Sequence, residues 1–303
     1  MDRRELQNIA TSLPQAEMQI GSSGILLTGA TGMLGANVLA RMPRAEPIFC
    51  LVRADSEAMA WTRLKEAAIK HRVPWEQENV VPILSIKGVS ARAIWHMAAA
   101  TNVFSSFQTL FESNVKLTRV LAGHPNCTIA SSLSVFTATD MTPHVCYPTR
   151  LNKNCGVVGG YPQSKTAAEY AAPKATVVRY SLIVGQETQR HVKTIFDEAM
   201  KKVGYAPRPR FPKMAVDMVS VEKAARRFIE VAGSGSVYHC SSELPVSVAD
   251  YVRGYPLVSD CVFEEKIADL SRLEQRLIRH SFYGTPCPLE LFEGGRGWEF
   301  KNT

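Results

Sequence analysis

Three groups of residues could do chemistry together. Gly29, Gly32 and Gly35 lie in Thr28-Gly29-Ala30-Thr31-Gly32-Met33-Leu34-Gly35, Ser132 follows Ser131 in mid-chain, and Tyr161 and Lys165 frame Tyr161-Pro162-Gln163-Ser164-Lys165. Each alone is common. In this order they point to hydride transfer between a nicotinamide nucleotide and a carbonyl carbon.

Tyr161 and Lys165 stand four apart, and Pro162 suits the first turn of a helix, so both side chains share one face. A nearby ammonium favours the phenolate, which would bring a hydroxyl of pKa ~10 toward neutral pH as a proton donor or acceptor. Ser132, just past a strand, could donate to a developing oxyanion, with Ser131 and Ser134 as competing candidates. Asn114 sits inside a helical pattern, where asparagine is usually exposed and inert; here it could support Lys165 through water.

The glycines follow the apolar run Ile25-Leu26-Leu27 and open a helix. Backbone can thus approach a pyrophosphate, whose charge the helix N-terminus stabilises. The spacing is GxxGxxG. Where an acidic residue would bond the adenosine ribose, the chain has Cys50-Leu51-Val52-Arg53. Arg53 suits a 2′-phosphate, so NADPH is expected over NADH, the alternative being a solvated surface arginine. In His96-Met97-Ala98-Ala99-Ala100, Ala98 and Ala99 are small enough to let a ribose pass close to backbone.

These residues must be held by alternating strands and helices, which implies an α/β fold: a Rossmann-like, doubly wound parallel sheet with a smaller C-terminal substrate-binding subdomain. Strands are expected over 25–28, 48–52, 80–84, 93–97, 128–131, 176–180 and 237–239, and helices over 33–41, 56–70, 106–122, 161–171, 192–203 and 221–231. Residues 264–280 read as one amphipathic helix with Ile267, Leu270, Leu273 and Leu277 on a stripe. Only 87–92 separate the third and fourth strands, too few for a helical crossover, so either a helix is missing or a strand is misplaced. Residues 1–20 read as a polar lead-in with one short helix, 21–184 as the nucleotide-binding domain, and 185–303 mainly as the subdomain, with Pro207, Pro209 and Pro212 in a basic loop and late elements returning to the sheet.

With 46% hydrophobic and 21% charged residues, the composition is that of a soluble globular protein. No apolar leader or spanning segment is read, and the expected location is the cytoplasm. The seven cysteines form no CxxC pair or Cys/His cluster, so no metal is expected. The net charge of +7 is spread rather than blocked and no nucleic-acid motif accompanies it.

On Leu26-Leu27-Thr28-Gly29-Ala30-Thr31-Gly32, Leu51-Val52-Arg53-Ala54 followed by Arg63-Leu64, and Val216-Asp217-Met218-Val219-Ser220-Val221, the chain resembles the extended short-chain dehydrogenase/reductase superfamily. Within it the likeness is to the thioester reductase branch, which includes terminal reductase domains of nonribosomal peptide and polyketide synthases and carboxylic acid reductases. The resemblance implies a triad of Ser132, Tyr161 and Lys165, and cofactor contacts at Gly29, Thr31, Gly32, Met33, Leu34, Gly35 and Arg53. It also implies NADPH, an acyl or peptidyl carrier protein as partner, a monomeric state and release of an aldehyde or alcohol from a phosphopantetheine thioester. The chain departs from the pattern by trimming near 86–93 and 139–161, by Phe136 in place of tyrosine, and by Arg179-Tyr180-Ser181. Two other functions fit the same residues: reduction of a small free carbonyl or imine, and regulatory NADPH binding without turnover.

Overall fold

The computed structural model describes residues 1–15, 18–136, 145–152, 154–185, 192–208, 215–242, 246–283 and 299–300. Seven parallel strands form the central sheet: β1 (Gln19–Thr28), β2 (Ile48–Leu51), β3 (Val80–Ile83), β4 (Ser90–His96), β5 (Cys127–Ser132), β6 (Thr176–Tyr180) and β7 (Val237–Cys240). Their order across the sheet is β7-β6-β5-β4-β1-β2-β3, so the order reverses beside β1, where β4 and β2 flank it. Crevices for ligands form at such a switch point, outside the carboxyl ends of the strands.

Alternation along the strands divides the core. Ile25, Leu27, Trp95, Val178 and Tyr180 point to one face and Leu26, Ile94 and Val177 to the other. On the first face pack α2 (Met33–Leu39), α3 (Glu57–Lys70) and α7 (Val221–Val231), with Phe228 fully buried against Trp95. On the opposite side lie α1 (Arg3–Ser12), α5 (Gly160–Ala171) and α4, a helix in three parts: Phe107–Phe111, a π turn over Glu112–Lys116, and Leu117–Leu121. A separate apolar cluster joins α6 (Val192–Val203) to α8 (Asp260–Ile267) and α9 (Arg272–Tyr283) through Phe196, Met200, Phe263 and Ile278. No helix among the described residues is long and apolar enough to cross a membrane.

The doubly wound sheet is as expected, and four local readings are corrected. The short link between the third and fourth strands needs neither a missing helix nor a new strand assignment. β3 is an edge strand and β4 lies on the far side of β1, joined by a loop whose Ile86 packs on the core. Helix 106–122 is interrupted by the π turn. The single amphipathic helix over 264–280 is two helices, because Ser271 and Glu274 cap a new start: Ser271 N–H and Oγ–H both donate to Glu274 Oε2, at 2.9 and 2.6 Å. The break turns Leu273 outward while Ile267 and Leu277 stay buried. Finally, the short helix near the start is no detached lead-in, since Leu6 and Ala10 of α1 pack with Ala167 and Ala171 of α5. Pro209 and Pro212 of the expected basic loop, and Cys287, lie outside the described residues.

Candidate active site

The glycine turn is built by close approach. Gly29 has φ +80°, and a Cβ there would lie 2.6 Å from the Ala98 nitrogen. A Cβ on Gly35 would lie 2.0 Å from the Gly29 carbonyl oxygen, so the first turn of α2 rests directly on the turn leaving β1. Gly32 N–H donates to Gly29 O at 2.9 Å and closes the turn. Thr31, Met33 and Leu34 are partly exposed around it, as are Ala98 and Ala99 at the end of β4. Arg53 is exposed just beyond β2, and its carbonyl accepts a hydrogen bond from the Arg63 guanidinium of α3. A tight turn at a helix start, with no room for a Cβ at Gly29 or Gly35, fits the pyrophosphate of a dinucleotide.

Across β4 and β5 stand the reacting candidates. Gly159 (φ +86°) and Gly160 start α5. A Cβ on Gly160 would lie 2.3 Å from Ser105 O, so α5 approaches the loop after β4 closely and Tyr161 follows at once. Ser132, at the end of β5, is the side chain that acts on the Tyr161 hydroxyl. The Ser132 hydroxyl also accepts from Ser134 N–H at 3.1 Å. Ser131 is committed elsewhere, donating to Glu169 at 2.6 Å. Of the three serines, the one that acts on the Tyr161 hydroxyl is Ser132.

Desolvation pushes the Tyr161 hydroxyl up to about 12, with Ser132 pulling the other way. This corrects the expectation that Lys165 would draw the phenol toward neutrality: desolvation is the larger influence, Ser132 the opposing one, and Tyr161 is a protonated donor. Lys165, one turn on, is buried and donates from Nζ to Ala130 O at 3.0 Å. Burial lowers it to about 8, opposed by the carboxylate of Glu169.

Asn114 is neither exposed nor inert. The π turn directs it inward, where Oδ1 accepts from Ala100 N–H at 2.8 Å while Nδ2 donates to Ala100 O at 2.9 Å and Ser164 Oγ at 3.0 Å. It therefore ties the loop after β4 to α5, and its direct partners do not include Lys165. A second chain of bonds runs beneath it. Thr118 Oγ1 donates to Asn114 O at 2.6 Å, so His96 Nε2–H donates to Thr118 Oγ1 at 3.0 Å, and His96 Nδ1 accepts from Thr28 Oγ1 at 2.6 Å. Burial and the neighbouring Lys165 charge hold His96 down to about 3, so it is neutral.

Sequence reasoning gave no role to Thr28, His96, Thr118 or Glu169. The available signals were faint: a hydroxyl at a strand end, and residues four past Asn114 and Lys165.

This fold and its glycine turn define a Rossmann-type α/β domain. Residues 27–88 match the NAD-binding family model described as male sterility protein. The chain is 28% identical over 200 residues to an isonitrile lipopeptide synthase of Streptomyces coeruleorubidus, covering 55% of this chain and 14% of that protein. It thus spans about one seventh of that relative. In fold it is similar to the terminal R domain of the myxalamid PKS-NRPS pathway, with TM-score 0.73 and 22% identity over 94% of this chain and 88% of that one. The aureusimine cluster reductase domain gives TM-score 0.65 and 22% identity, over 90% and 84%. The likeness to terminal reductase domains read from sequence motifs is thus found in the three-dimensional fold.

Proposed function

We propose that this chain is an NADPH-dependent reductase of an acyl or peptidyl thioester carried on a phosphopantetheine arm, releasing an aldehyde or, after a second round, an alcohol. The observation that carries the reading is the grouping of Tyr161 and the buried Lys165, one turn apart on α5, at the end of β5 where Ser132 acts on the Tyr161 hydroxyl and Ala130 O accepts from Lys165 Nζ, in a fold whose first turn leaves no room for a Cβ at Gly29 or Gly35. Bound at that turn, the reduced nicotinamide supplies a hydride to the thioester carbonyl carbon.

The chain's own residues handle the oxygen and the proton. Tyr161, protonated at neutral pH, donates its proton as the carbonyl oxygen gains charge, and Ser132 stabilises that oxygen by a second hydrogen bond. Lys165, one helical turn on and charged below about pH 8, would stabilise the phenolate left behind. Asn114 fixes the distance between the loop at Ala100 and α5. The hemithioacetal so formed breaks its C–S bond, giving aldehyde and carrier thiol. Gly29, Thr31, Gly32, Met33, Leu34, Gly35, Ala98 and Ala99 would hold the dinucleotide, Arg53 its 2′-phosphate, and 185–303 would shape the acyl pocket. A carrier protein is the expected partner and a monomer the expected state.

The test is NADPH oxidation with product analysis on carrier-bound acyl groups and short pantetheine thioesters, beside Tyr161→Phe. Thioester turnover to aldehyde or alcohol, reduced ~10²–10⁴-fold in the variant, supports the reading. Reduction of free carbonyls alone, or nucleotide binding without turnover, overturns it.

A further inference from the structure

Behind the triad lies a buried charge cluster that the proposed reaction does not use. Arg179, fully buried on β6, forms a forked ion pair with Glu169 of α5: Nε to Oε1 at 2.9 Å and Nη2 to Oε2 at 2.7 Å. The same Oε1 accepts the Ser131 hydroxyl at 2.6 Å, one residue before Ser132. Arg179 also lies over the Phe136 ring at 5.0 Å and 3.3 Å from His239 Nε2. Arg3 of α1 also lies over that ring, at 5.9 Å, and its guanidinium donates to Val135 O at 2.8 Å. Two ionised groups in the interior are an expensive choice for mere packing, since apolar residues of similar volume serve as well or better.

Lys165 and Glu169 are one helical turn apart, on one face of α5. We infer that Glu169 is a positioning residue of the reducing site: one carboxylate, shared by Ser131, Arg179 and the lysine a turn before it, holds β5 against α5 and supplies the buried counter-charge of Lys165. The catalytic consequence rests on the reductase reading above; the electrostatic part does not.

The groups facing this pair are His96 from β4, Arg179 from β6, Arg150 from the segment before α5, and Tyr170 of α5, itself raised by burial; Tyr161 stands one turn before Lys165, His239 from β7 lies beyond Arg179, and Arg3 from α1 faces Tyr170. Both histidines are held down to about 3 and Tyr161 up to about 12. Within this cluster, Lys165 is the group that titrates between pH 6 and 9.

The test follows Lys165 directly, by NMR titration of protein labelled with ¹³Cε-lysine, the signal being assigned by its loss in Lys165→Met. In Glu169→Gln the midpoint falls by about one pH unit, and the basic limb of turnover moves with it, a roughly fivefold loss at pH 8. Because Glu169→Gln strands the Arg179 charge, E169Q/R179M is made beside it. That variant removes both charges, and its midpoint lies between the other two. A Lys165 midpoint unchanged in the folded variants, with turnover lowered equally at every pH, overturns the inference and leaves Glu169 a packing residue. A shifted midpoint in a protein that reduces no thioester supports the electrostatic role and sinks the reductase reading instead.

Discussion

Replacing Lys165 by methionine should make the protein more stable while destroying its activity. Lys165 is buried, and its pKa is lowered from 10.5 to about 8. The unfolded chain therefore binds that proton more tightly, so the cost of the buried ammonium is full below pH 8 and fades as pH rises toward 10.5. At ~1.36 kcal/mol per pH unit the gap amounts to at most about 3 kcal/mol at pH 7 and about 2 kcal/mol at pH 9. Methionine keeps an unbranched stem of similar length but leaves Ala130 O, which accepts from Nζ at 3.0 Å, without that donor. The loss takes back about 1 kcal/mol. Lys165→Met is thus expected to gain about 2 kcal/mol at pH 7 and about 1 kcal/mol at pH 9, read from urea unfolding at the two pH values, with NADPH-dependent turnover down at least ~10²-fold. A variant less stable than the parent at pH 7, or an advantage that grows with pH, would refute the reasoning.

Gly35→Ala must move backbone, because its Cβ would sit 2.0 Å from Gly29 O, whereas the nearest atom to a Cβ on Gly32 is 3.3 Å away; thermal unfolding should show a loss of ~1–3 kcal/mol for the first and well under 1 kcal/mol for the second, with nucleotide affinity, followed by fluorescence titration, weakened in Gly35→Ala. His96 is held down to about 3 against an ordinary 6.5, so its contribution is lost as pH falls below 6.5, by about 2 kcal/mol at pH 5. His239 behaves alike, and His96→Gln should roughly halve the measured fall in stability between pH 7 and pH 5. Arg53→Ser should raise KM for NADPH by ~10-fold or more and leave KM for NADH nearly unchanged, since it removes a charge-assisted bond made only to the 2′-phosphate; equal effects on both nucleotides would count against that assignment.

Much of the frame was legible without coordinates because it follows from local rules. Short apolar runs marked the buried parallel strands. The glycines at 29, 32 and 35 marked the strand–helix turn, and the four-residue spacing of Tyr161 and Lys165 placed both on α5. Helix breaks were less legible. The π turn at Glu112–Lys116 and the new cap at Ser271 leave the apolar periodicity nearly intact, so periodicity alone runs through both.

What the sequence by itself determined is the order of elements and the residue types at the site: a glycine-lined turn, a serine after a strand, a tyrosine and lysine one turn apart. The tertiary structure alone decided which serine meets Tyr161, where Asn114 spends its hydrogen bonds, and which way each pKa moves. The reason is physical. Spacing along a helix or strand is fixed by bond geometry within a few residues, but desolvation and counter-charge come from β4, β5 and β6, which supply His96, Ala130, Ser131 and Arg179 from distant parts of the chain. Proximity of Lys165 suggested an acidified phenol; desolvation of the hydroxyl in the folded chain kept Tyr161 protonated.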